Sequence, residues 1–243
     1  MMNKPLLRNP VSHYLYFAFV GITVSIAGFF PNYLRPLITD AKEFTSIQHI
    51  HGLFGAMWLL LFLLQAWLIN TRRHRIHIRL GYAGIFVAVG IVITMQMAAF
   101  RFVETELAQG NDATRAILGP FIDSITFAVL FSAAIYYRRR PEVHKRLMLL
   151  ATILLLWVAW VRLRNYFPPF PGAFNFFGFV LGMMPIPVIW LVEFMKSRKV
   201  HPVMLYVGIG VIVEQGIQVL WSETPLWNQT AGAIYKLLSN LVR

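Results

Sequence analysis

The chain has 243 residues, of which 58% are hydrophobic and 13% charged, with no cysteine and a formal net charge of +12. So few charges cannot cover a water-exposed globular surface, and composition alone excludes an ordinary soluble domain. The absence of cysteine excludes disulfides, thiolate zinc sites and cysteine-held iron–sulfur clusters.

A helix crosses a bilayer with roughly 20 apolar residues. Runs of that kind predict about seven spans, at 13–31, 48–69, 80–100, 117–137, 145–162, 174–194 and 202–221. The connections are short, so residues 1–243 read as a single transmembrane helical domain, all-α and polytopic. An outer-membrane barrel is excluded because its strands of about ten residues alternate in polarity, whereas "MWLLLFLLQAWLI" is apolar on every side. The first run follows a short basic head and leads into "FFPNYLRP" with no small-residue cleavage site, which predicts a retained helix rather than a signal peptide.

In the second span His51, Gly55, Trp58, Phe62 and Gln65 recur at three- and four-residue steps and share one helix face. The third span offers His77, Gly81, Gly84 and Ala88, a small-residue face that predicts a closely packed hairpin. Trp58 and Gln65 suit interhelical packing there. Between these spans lies "NTRRHRIHIRLGYAG", residues 70–84, and its arginines act as a topology signal.

Basic residues gather in alternate connections: Lys4 and Arg8, then Arg72, Arg73, Arg75 and Arg79, then "RRRPEVHKR", then "KSRKVH". Asp40, Glu43, Glu104, Glu106 and Asp112 lie in the others. The positive-inside rule predicts a cytoplasmic N-terminus and, after seven spans, an outside C-terminus. The net positive charge then suits anionic lipid headgroups. Nucleic acid is a poor partner for charges dispersed over short loops.

"RRHRIHIRL", "RRRPEVHKRL" and "SRKVHPVML" each pass from cations through a β-branched residue and a histidine into an apolar helix. This pattern suits either a repeated helical hairpin or the general need for basic inner loops.

His51, Trp58 and Gln65, the basic turn with "HIRLGYAG", and "RRRPEVHKRLMLLATI" resemble a family of uncharacterised bacterial multi-pass membrane proteins. Its mark is a histidine–tryptophan–glutamine helix followed by a His-Arg-Leu-Gly turn. The resemblance covers about a third of the chain. It implies a multi-helix fold and brings no activity with it.

Ionisable residues inside spans are expensive and by default mark function. Asp123 lies in the fourth span and Glu214 in the seventh, where it shares a face with Gly210, Gln218 and Trp221. With His51, Gln96 and Arg162 these residues fall in the outer half. They form the expected pocket, facing outward, for binding or moving a small ligand. Arg162 is a candidate partner for Asp123, Glu214 or an anionic group; a structural charge pair is the plain alternative.

His77 and His144, at similar depth, are the most suitable pair to ligate haem b in a membrane oxidoreductase using haem or quinone. Simple interfacial histidines are the alternative. His51, Asp123 and Glu214 are candidates for a divalent metal in a lipid-directed enzyme. A non-catalytic assembly factor is a further reading, and oligomeric state stays open. "FPPFPGAFNFFGF" is expected as an outer loop at headgroup level, and "MMPIP" as a kink in the sixth span. The expected location is the bacterial plasma membrane.

Overall fold

A computed structural model of the chain describes residues 13–41 and 43–242, which contain helices, turns and short connections but no strand. Lys4 and Arg8 lie outside the described residues. Seven helices are long and apolar enough to cross a membrane: α1 His13–Ile38, α2 Ser46–Asn70, α3 His74–Ala108, α4 Thr114–Tyr136, α5 Pro141–Tyr166, α6 Ala173–Ser197 and α7 Val203–Trp221. An eighth, α8 Pro225–Val242, follows a short turn.

α5 is the hub, packed by α1, α4, α6 and α7. Its middle, "LMLLATILLLW", is apolar on all sides, the pattern of a helix surrounded by others. Leu149, Leu150, Ala151, Ile153 and Leu154 are accordingly fully buried.

The expected α2–α3 hairpin forms and is densely packed, as is α4–α5. The tight points are not the predicted ones. A Cβ at Gly81 or Gly84 would meet only Gln65 or Leu61 at 3.9 and 3.4 Å, which is ordinary contact. Backbone approach is closest at Gly28, against the Ala159 carbonyl, and the ring of Phe54 fills the space beside Gly90.

Each basic turn is tied by a hydrogen bond between the helices it joins. Gln65 Nε2 donates to the His77 carbonyl at 3.1 Å, His144 Nδ1 to the Ala134 carbonyl at 2.8 Å, and Trp190 Nε1 to the Met204 carbonyl at 2.8 Å. A carbonyl only accepts, so His144 carries its proton on Nδ1.

Two expectations are corrected. α3 does not end near residue 100 but runs 35 residues, about 52 Å at 1.5 Å per residue, longer than the roughly 30 Å hydrocarbon core. Only 167–172 of "FPPFPGAFNFFGF" is a connection; from Ala173 the chain is helical, with a π segment over Phe176–Leu181. Gly178 and Gly182 there lie against Val161 and Trp157, so the α6 backbone sits close to α5. The helix is interrupted at Met184, just before Pro185, where the missing N–H removes a rung of the ladder.

α8 was not anticipated. Trp227 and Ala231 on one face are buried with Phe100, Val103 and Ile117 in a small core separate from the main one. Trp227 Nε1 donates to the Arg115 carbonyl at 3.0 Å, and Arg115 pairs with Glu223. Nearby, the Thr114 backbone N–H donates to Asp112 Oδ1 at 3.0 Å and holds that carboxyl below the usual range.

Candidate functional site

Asp123 is buried to 3% exposure in α4, and its carboxylate is caged by α5 and α7. Trp157 Nε1 donates to Oδ2 at 2.7 Å; Gln215 and Gln218 Nε2 donate to Oδ1 at 2.7 and 2.9 Å. The same two amides also reach Glu214: Gln215 donates to its Oε2 at 3.0 Å, and Gln218 donates to its Oε1. Each NH₂ has two protons, so the four amide protons join the two carboxylates into one bridge. Neither acid belongs to any of the ion pairs among the described residues.

The local sequence explains the cage. Gln215 and Gln218 lie three apart on α7 and so share a face toward Asp123, and Glu214, four before Gln218, lies within reach of both amides. Beside the cage, Gln96 of α3 bonds α4 one residue along from Asp123, donating to Ser124 Oγ at 2.7 Å and to the Pro120 carbonyl at 3.1 Å. Its Oε1 is buried without a hydrogen-bond partner. Four helices thus meet at one polar layer.

Arg162 and His51 are not part of it. Five residues beyond Trp157, Arg162 is turned about 140° around α5 at 3.6 residues per turn. Its guanidinium lies over Phe29 at 4.5 Å and donates to the Val158 carbonyl at 2.9 Å. His51 Nδ1 lies 3.0 Å from Thr94 Oγ1, whose own proton goes to the Gly90 carbonyl at 2.6 Å. His51 is therefore the donor of that pair. The described residues contain no group of three or more His, Asp or Glu side chains that could hold a metal ion, so His51, Asp123 and Glu214 do not assemble into one.

The rest of the His51–Trp58–Gln65 stripe is structural in its contacts. Trp58 is 3% exposed and donates to Thr152 Oγ1 at 3.2 Å, while Gln65 ties the turn to His77. The stripe is a row of bonds from α2 to α3 and α5.

His77 and His144 do meet. Their ring centroids are 6.5 Å apart with planes at 89°. His144, protonated on Nδ1, presents a lone pair on Nε2; His77 Nδ1 is buried without a hydrogen-bond partner.

Three participants escaped the sequence reading: Gln215, Trp157 as a donor to Asp123, and a buried ion pair. Arg146 and Glu193 are 9% and 6% exposed and joined at 2.7 Å. Arg146 also reaches the Glu142 carboxylate at 2.6 Å, and Glu193 Oε2 accepts the His201 N–H at 2.9 Å. Glu193 sits in "IWLVEFMK", and an acid in such a run meets the criterion that singled out Asp123. The three-residue step from Gln215 to Gln218 was a usable signal as well.

Comparison with protein families, with curated proteins and with solved structures finds no match.

Proposed function

We propose that this is a multi-pass protein of the bacterial plasma membrane that binds or moves a small, positively charged ligand through the Asp123–Glu214 layer. The basic turns 70–73, 137–140 and 196–199 gather at one end, which the positive-inside rule assigns to the cytoplasm. Asp123, Glu214 and α8 then belong to the outer side.

The observation that carries the reading is the double amide bridge. Two acids share four donated protons inside an apolar bundle, with no arginine or lysine paired to either. An intramembrane acid is expensive to keep, and its usual complement is an opposite charge. A small cation entering from the outer side is that complement.

The test is a thermal-shift screen of the purified protein with inorganic and organic monovalent cations. A stabilising cation should lose its effect in Glu214→Gln while expression and the ligand-free melting temperature hold. A Glu214→Gln protein that keeps the full shift, or that no longer folds, favours a purely structural polar layer.

The His77–His144 pair favours a second reading, a membrane oxidoreductase using haem b or quinone. Two neighbouring imidazoles with ring centroids 6.5 Å apart, one with a free Nε2 lone pair and one with a buried, unpartnered Nδ1, are the side chains that would hold a haem iron, which would supply one-electron chemistry. The His144 Nδ1–H to carbonyl bond is the support a ligating histidine takes. The check is an absorption spectrum of protein from haem-replete cells, oxidised and dithionite-reduced, with metal analysis. A Soret band lost in His77→Ala and His144→Ala supports this reading, and a colourless, metal-free sample removes it.

A further inference from the structure

An open groove of about 230 Å³ runs between α1 and α2, lined by Leu15, Phe19, Leu60, Leu63, Leu64 and Trp67. All six are apolar, so nothing in it calls for water or a polar ligand. From Leu60 to Trp67 the groove descends toward the basic end over seven residues, about 10 Å of helix. That is most of the depth of one leaflet's hydrocarbon, roughly 15 Å.

The groove ends under a cation. Arg73 lies over the Trp67 ring at 5.0 Å; Arg72 beside it in the turn, and Arg75 and Arg79 in the first turns of α3, are exposed as well. None of the four takes part in an ion pair with an acid among the described residues. Arg72 moreover holds φ at 60°, in the left-handed region where glycine is the ordinary helix terminator. A cation stands where the backbone favours a residue without a side chain.

We propose that this groove is a binding site for one anionic phospholipid of the leaflet at the basic end. An acyl chain lies between α1 and α2, and the headgroup phosphate rests on Arg73 and Arg72. Charge complementarity selects this occupant: an apolar trough alone accepts any chain, but an unpaired arginine cluster at its mouth favours a net negative headgroup. The inference rests on the membrane reading and is independent of what binds at Asp123.

The full chain is reconstituted in phosphatidylcholine vesicles containing either brominated phosphatidylglycerol or brominated phosphatidylcholine at equal mole fraction. The Trp67 signal is the fluorescence difference between wild type and Trp67→Phe. Brominated phosphatidylglycerol should be about fivefold more effective per contacting arginine, and both Arg73→Gln and high salt should reduce that preference. Arg73 is exposed, so its replacement leaves the bundle folded; the salt series on wild type reads the same preference without any substitution. Equal quenching by the two lipids, or a preference that neither salt nor Arg73→Gln reduces, overturns the proposal. So does a dimer held through cysteines introduced at Phe19 and Leu64, which makes a second copy the occupant; the chain has no native cysteine to confuse that readout.

Discussion

The indole nitrogen of Trp157 lies 2.7 Å from Oδ2 of Asp123 and holds the acid of α4 from the central helix α5. With Gln215 and Gln218 on the other oxygen, Asp123 accepts from three donors at once. Trp157→Phe should therefore lower stability by about 1–3 kcal/mol, the cost of a lost bond to a buried charged group. Asp123→Asn keeps an acceptor for the glutamines but can turn its own NH₂ toward the indole N–H. The double variant should then be less damaged than the sum of the singles, by about 1 kcal/mol. Thermal melts in mild detergent give the cycle; strict additivity would mean that the two side chains do not act as a unit.

Arg146 and Glu193 pin α5 to α6, and Glu193 also takes the backbone N–H of His201. Arg146→Met should cost about 3–5 kcal/mol by leaving the buried Glu193 without its counter-charge, and Glu193→Leu should cost less, because Arg146 keeps Glu142 at 2.6 Å. The double variant should recover a large part of the Arg146→Met loss. Equal melting temperatures for Arg146→Met and the double variant would contradict this account.

His201 gives the turn before α7 a pH dependence. Its Nδ1 accepts the Val203 N–H at 3.2 Å, which requires an unprotonated nitrogen. Burial lowers its pKa, and the charge of Arg146 adds to the effect, with Glu193 and Glu142 opposing. Because the folded pKa lies below the unfolded one, the stabilisation is present above the unfolded value and is lost as pH falls through the folded value. Melting temperature should be flat above about pH 7 and decline toward pH 5. His201→Asn, whose carbonyl accepts the same N–H, should decline less, and identical pH profiles would exclude His201 as the source.

The glycines divide sharply. Gly28→Ala would drive a methyl into the Ala159 backbone and should cost about 1–3 kcal/mol or more, because a carbonyl cannot move aside as a side-chain end can. Gly55→Ala meets nothing within 4 Å and should be neutral or stabilising by about 0.5–1 kcal/mol. A melt series on the two variants checks the ordering.

α8 closes the far end through Trp227. Trp227→Ala should cost about 3–5 kcal/mol of local stability, whereas breaking the exposed Arg115–Glu223 pair should cost under about 1 kcal/mol. Hydrogen exchange at Phe100–Ala108 and 226–240 would show the difference. Equal protection loss in both variants would make the ion pair, not the indole, the anchor.

The stripe His51, Trp58 and Gln65 singled out residues that prove to be bolts between helices. A one-dimensional stripe shows which side chains share a face but not which helix that face meets. For the same reason Arg162 looked like a partner for Asp123: depth along the membrane is readable from position, and rotation about α5 is not.

The apolar run lengths, by themselves, determined the seven helices long enough to cross a membrane, because backbone hydrogen bonding acts locally along the chain. They also marked Asp123, Glu214 and Gln218 as unusual. Only the tertiary structure decided that Trp157 and Gln215 complete their cage, that Arg146 and Glu193 meet, that His77 lies beside His144, and that α8 folds onto the start of α4 with Phe100 and Val103 of α3 beneath it. Those are contacts between residues far apart in the chain, selected by how helices rotate and pack against α5, and packing of that kind has no signature at any single position.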